Sequence, residues 1–283
     1  MKSKLSESTL SRVYLLLVPP LVAIFGFGLG HISYKIYLPV WLINSCLMLS
    51  AIWVLGANLI RSKDAEKRRL AVAASLLILP QVFISIFFGM GAPPDTVAGY
   101  AAAATEQEIR YSILIIAGVL IAAGFTLLKE QQKEAGEKLY ASLGFTAIMI
   151  AVPLFVLNMA YWQTYLVEAY RIFTASALTK RPDWFIPLRS LFGALSAVEV
   201  ALTYLATAAF ALSLKTTGWL KPAACNIYIM ISLLGFIVDL VPAWFPQPFV
   251  AAAFFVSIPA IPFMMPYYIG VNLLRRVSDT KCT

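Results

Sequence analysis

Two acidic side chains, Glu199 and Asp239, lie inside long apolar runs of this sequence. An ionisable group at the centre of a membrane helix costs roughly 2.5–3.5 kcal/mol on insertion scales, so each needs a physical reason to be there. Glu199 follows Ile186 by 13 residues and precedes Leu214 by 15. At about 1.5 Å of rise per residue, that places it near the middle of its run. Arg189, Ser196, Glu199, Thr203 and Thr207 are spaced by 7, 3, 4 and 4, which puts them on one helical stripe. Gly193, Ala197 and Ala201 form a small-residue surface on the other side, suited to a neighbouring helix.

Such a stripe can line a polar cavity, with Glu199 as a proton or cation site and Ser196 and Thr203 beside it. The competing reading is a protonated carboxyl hydrogen-bonded to a buried neighbour, because desolvation disfavours the ionised form. Gln81 follows Pro80 in the middle of another run. Its amide either satisfies the carbonyl that the proline frees, or joins Glu199 at comparable depth in a shared site. Arg189 and Asp239 stand a similar number of residues from the same ends of consecutive runs. That spacing predicts a structural ion pair, since pairing removes much of the cost of each charge. Asn158 and the single histidine, His31, read as interfacial groups near helix ends.

Other chemistries are poorly served. Cys46, Cys225 and Cys282 are odd in number and far apart, so neither a disulfide framework nor a metal pair is expected. One histidine per chain excludes bis-histidine haem ligation and a multi-histidine zinc site. No HExxH, glycine-rich phosphate loop or serine triad pattern occurs, so no cofactor or metal is expected and a membrane enzyme ranks last among the functional classes. The net charge of +8 does not indicate nucleic-acid binding, because the basic residues flank apolar runs and are not interleaved with aromatics on one face.

The elements that must position these residues are membrane helices. Of the 283 residues, 60% are hydrophobic and 13% charged, about half the charge of an average soluble domain at roughly 25%. The apolar residues fall in runs of the length that crosses about 30 Å of hydrocarbon. The sequence predicts a single all-α polytopic membrane domain with eight transmembrane helices, at about 13–31, 38–60, 70–92, 111–128, 139–161, 186–214, 223–245 and 249–274. The first run is too long for a signal-peptide core and lacks a small-residue cleavage site, so it is read as a retained helix.

Lys and Arg test this map independently. Sixteen fall in the two termini and alternate connections, against six on the opposite side. Positive charge is retained on the cytoplasmic side, so both termini are expected there. Trp41, Trp162, Trp184, Trp219 and Trp244 fall near predicted ends, as aromatic belts require. An interfacial helix is expected within 162–185 from the spacing of Leu166, Ala169, Ile172, Phe173 and Ala177. The layouts of Leu38–Lys63 and Ile186–Lys215 allow either a four-plus-four parallel pseudo-repeat or chance similarity between apolar segments. Pro259, Pro262 and Pro266 must bend or interrupt the last span.

The function expected first is a small-solute or ion transporter, with Glu199, Thr203, Ser196 and Gln81 as candidate binding residues. The alternative is a non-transporting sensor, scaffold or subunit of a membrane complex. The lipid bilayer is the expected partner. The absence of N-x-S/T sequons suits the cytoplasmic membrane of a bacterium.

Overall fold

In a computed structural model, the described residues are 2–29, 32–94, 96–176, 185–242, 244–258 and 261–279, and they are helical with no strand. His31, Lys180, Arg181, Trp184 and Pro259 lie outside them. The helices are α1 (Lys2–Leu29), α2 (Tyr34–Ile60), α3 (Ala65–Ile78), α4 (Pro80–Gly89), α5 (Val97–Ala102) and α6 (Ala104–Glu134). Beyond them come α7 (Leu139–Ala160), a π turn (Tyr161–Tyr165), α8 (Leu166–Ala175), α9 (Phe185–Thr216), α10 (Pro222–Asp239), α11 (Gln247–Ser257) and α12 (Met264–Asp279).

Seven stretches among the described residues are long and apolar enough to cross a membrane. They are Glu7–Gly26, Tyr34–Ile60, Ala65–Gly89, Ala104–Glu134, Leu139–Ala175, Phe185–Thr216 and Pro222–Asp239. Their exposed surfaces carry large apolar side chains, such as Ile43, Met230, Leu234 and Ile237. Water would penalise such a surface and hydrocarbon does not, so the chain is a multi-pass membrane protein.

The elements depart from the expected spans where proline and backbone geometry intervene. The third crossing is two helices, because Pro80 opens α4 after a single residue, Leu79, and lacks the N–H that would continue α3. The interfacial helix expected within 162–185 is the continuation of α7: the π turn takes up extra residues without breaking the rod, and α8 follows directly. Helix α10 stops at Asp239, six residues short of the expected 245. The span expected at 249–274 is two helices, α11 of 11 residues and α12 of 16. Pro266 sits in the first turn of α12, where its missing N–H costs nothing.

Helix α6 bridges two groups of helices. On one side it packs on α3 and α4, which contact α1, α2 and α12; on the other it packs on α7, which holds α9, and α9 holds α10. Helix α12 lies chiefly on α3, and α3 itself packs on α6. Glycines allow the closest crossings. A Cβ on Gly270 of α12 would stand 2.7 Å from the Ala74 carbonyl oxygen of α3. Helix α11 buries no residue and contacts α10 and α9. A separate aromatic cluster, including Tyr100, Tyr161, Tyr170, Phe173 and Phe185, caps one end of the bundle.

The turn between α6 and α7 shows how local sequence sets an end. Gly136 takes φ 89°, and Glu137 N–H then donates to the Gln132 carbonyl, closing α6 as a Schellman turn. The Glu137 carboxylate accepts from the backbone N–H groups of Tyr140 (2.8 Å) and Ala141 (3.0 Å), capping α7. Burial pushes its pKa up, but the Ser213 hydroxyl and the amides of Tyr140, Ala141 and Leu139 together hold it below the usual carboxylate range. Glu137→Ala is therefore expected to lower stability by about 1 kcal/mol, the usual worth of an N-terminal cap. With the folded value depressed, this stabilisation is complete above the unfolded-state value and disappears as pH falls through the folded one. Thermal melts of wild type and variant in one detergent should converge on acidification. A gap that stays constant through the acid range would contradict this assignment.

Candidate functional site

Glu199 is 2% exposed on α9. One carboxylate oxygen, Oε1, accepts from the Asn158 side-chain N–H of α7 at 3.3 Å. Asn158 Oδ1 in turn accepts from the Trp162 indole N–H at 3.1 Å. The second oxygen, Oε2, is buried and has no hydrogen-bond partner among the described residues. The order Asn158–Trp162 is an i, i+4 pair that carries the chain from α7 into the π turn. Such turns recur at functional sites.

Asp239, the last residue of α10, faces the same region. Two contacts set the antiparallel register of α9 and α10. Lys215 donates to Asn226 Oδ1 at 2.9 Å, and a Cβ on Gly235 would lie 2.6 Å from the Tyr204 ring. This register brings Asp239 level with Val200 and Glu199. Asp239 is buried, and its Oδ2 also has no partner among the described residues. The Tyr204 hydroxyl donates to the Val256 carbonyl at the end of α11, at 3.1 Å. Ser232, two turns before Asp239 on the buried face of α10, is wholly buried with an unpartnered hydroxyl oxygen.

The remaining expected residues fall differently. Thr203 and Thr207 are buried, and each hydroxyl donates back along α9, to the Glu199 and Thr203 carbonyls, both at 2.8 Å. Their protons are therefore committed to the helix, leaving only oxygen lone pairs for a ligand. Ser196 is half-buried, one turn before Glu199. Arg189 is exposed, and no ion pair joins it to Asp239 among the described residues. The early end of α10 is the reason: Asp239 sits level with Glu199, ten residues and about 15 Å along α9 from Arg189. Gln81 is 3% exposed on α4, which packs against α1, α2, α3 and α6 and so stands apart from the α7–α9–α10 site. Gly193 meets nothing within 4 Å, while Ala201 is buried, so the small-residue surface is occupied only at its inner part.

Two residues escaped sequence reasoning. Asn158, read as an interfacial amide, is the carboxyl's partner; its spacing from Trp162 was the available signal. Arg110, read as part of a connection, is 1% exposed within α6. It donates to the Gly91 (2.5 Å) and Met90 (3.2 Å) carbonyls and pairs with Glu106 at 3.5 Å, tying the end of α4 to α6.

Chemically, two buried carboxyls, an amide and a hydroxyl can accept and release a proton or share a small cation. No group of three or more His, Cys, Asp or Glu side chains suited to a metal ion occurs among the described residues. Searches against family models, curated proteins and solved structures give no match for this chain.

Proposed function

We propose that this protein is a small-solute or ion transporter in which Glu199, opposed by Asp239, is the proton or cation site. One observation carries the reading: the Glu199 carboxyl is buried at mid-helix with Oε2 unpartnered. Natural interiors rarely leave such a group unsatisfied without a use for it. Broken helices support it further. Helix α11 ends at Ser257 and α12 starts at Met264, and the last residues of α11 reach Tyr204, little more than a turn from Glu199. Interrupted membrane helices recur at transporter binding sites.

In this reading α11 and α12 together make the eighth crossing, and both termini are cytoplasmic, as the sixteen-to-six division of Lys and Arg requires. The host membrane is a bacterial cytoplasmic membrane. Ser196 and Thr203 supply oxygen atoms beside Glu199, Gln81 belongs to a separate part of the path, and Arg189 is a surface charge.

The test uses the purified protein in liposomes containing a pH indicator, screened with gradients of small organic acids, amines, sugars and alkali cations. At least one gradient should drive a proton flux in wild-type vesicles that Glu199→Gln reduces by about a hundredfold or more. Glutamine keeps the shape and the contact with Asn158 but cannot cycle a proton. Equal flux in wild-type and Glu199→Gln vesicles would overturn the assignment.

A further inference from the structure

A second feature lies away from the carboxyl site. Helices α1, α2 and α4 enclose a cavity of about 390 Å³, within the range of roughly 300–1,000 Å³ typical of small-molecule sites. We infer that it binds an uncharged lipophile carrying a single carbonyl or hydroxyl group, taken from the bilayer.

The walls decide how a ligand enters. Leu21, Phe25, Ile36 and Val40 line the cavity and are 47%, 58%, 61% and 61% exposed. On apolar membrane helices such exposure faces hydrocarbon, so the cavity opens sideways into lipid. Among the described residues, no charged side chain lines it. An ionic headgroup drawn in would lose its hydration without gaining a counter-charge, which costs more than the contacts return. At the end where α4 meets α2, Gly89 packs on Tyr37. The polar groups lie about two turns further along α2.

There the Tyr14 hydroxyl donates to Asn44 Oδ1 at 2.7 Å, and the Asn44 amide donates to Ser85 Oγ at 3.3 Å. Among the described residues, the only other acceptor for that amide is the Met48 sulfur at 3.5 Å, a weak one. Asn44 thus holds an N–H that a carbonyl or hydroxyl oxygen would bind better. The Trp41 indole N–H is spent on the Val82 carbonyl at 2.6 Å, so Trp41 offers the ligand its ring and not its donor. An apolar slot with one underused neutral donor at its end selects a lipophile with one neutral acceptor.

The test exposes the full-length purified protein in nanodiscs to a diazirine-bearing long-chain fatty alcohol, and in parallel to the matching alkane probe. After irradiation, labelled residues are mapped by mass spectrometry. The alcohol should label α1, α2 and α4 around the cavity. Val40→Trp, at an exposed wall position that tolerates bulk, should reduce that labelling about tenfold. Asn44→Leu should reduce alcohol labelling about five- to tenfold, the worth of one hydrogen bond, and leave alkane labelling unchanged. Ser85→Ala, a milder change, removes an acceptor of the Asn44 amide and should raise the alcohol preference about two- to fivefold, and an unchanged or lowered preference there would overturn the proposal even if Asn44→Leu does not fold. Label spread over the exposed faces of α10 and α11, or equal labelling by alcohol and alkane in wild type, would overturn the proposal. The latter result would mean that the cavity accepts any bilayer acyl chain.

Discussion

Replacing Glu199 and Asn158 together by leucine should raise the melting temperature of the purified protein while abolishing the proposed transport. The carboxyl is 2% exposed, with one oxygen bonded to Asn158 and the other unpartnered. Its desolvation is therefore only half compensated, and apolar replacement of such buried polar groups is often neutral or stabilising by about 1–4 kcal/mol. The Trp162 indole N–H loses its acceptor in the double variant, but Trp162 is half-buried and can turn to interfacial water, so this loss offsets only part of the gain. Glu199→Leu alone should be less favourable, because it strands the Asn158 amide at a cost of about 1–3 kcal/mol. The order of melting temperatures is then double variant above wild type, with the single variant lowest or level with wild type. A double variant that melts well below wild type would identify the pair as a structural clamp, and the site would lose its claim to function.

The second large effect concerns the fold. Gly270→Leu should destabilise the protein by about 3 kcal/mol, at the upper end of overpacking costs. The added Cβ would lie 2.7 Å from the Ala74 carbonyl oxygen and 3.0 Å from the Leu77 and Ile78 side chains. Backbone on a packed helix cannot retreat as a flexible side chain can, so α12 must separate from α3. Gly28 meets nothing within 4 Å, and Gly28→Leu should be neutral or slightly stabilising through helix propensity. Denaturation of both variants in one detergent checks the contrast. Equal loss at the two positions would show that α12 does not press on α3 as described.

What the amino-acid order made legible was the membrane character and most of the helices, because a run of twenty apolar residues has one favourable solvent and one favourable backbone state there. It also singled out Glu199, whose cost in hydrocarbon marks it without any partner being known. The partners were harder. Asn158 lies on another helix, and nothing in its own neighbourhood states which helix it faces. Counting from a helix end at 245 pairs Asp239 with Arg189, whereas α10 stops at 239 and its packing on α9 sets Asp239 level with Glu199. The continuity of α7 into α8 was hidden for a similar reason, since a π turn uses ordinary residues and leaves no compositional mark. The prolines of the final span mark it for a bend or break, whereas Pro80 reads only as freeing a carbonyl that Gln81 can satisfy; that α4 restarts at Pro80 as a separate helix also depends on what each piece packs against.

A proton or cation site at Glu199 requires an aqueous path to its stripe from at least one side of the membrane, which thiol accessibility tests most directly. Cys46, Cys225 and Cys282 are first replaced, and single cysteines are introduced by Ser196→Cys and Thr203→Cys. A membrane-impermeant thiol reagent is then applied to sealed vesicles of each orientation. Lys63→Cys, in the exposed α2–α3 turn, reports that the reagent works and which face it reaches. Labelling of position 196 or 203 from at least one side is the result predicted here. Protection of both from both sides, in protein that still folds and is labelled at position 63, would contradict it and leave the stripe as a dry packing seam.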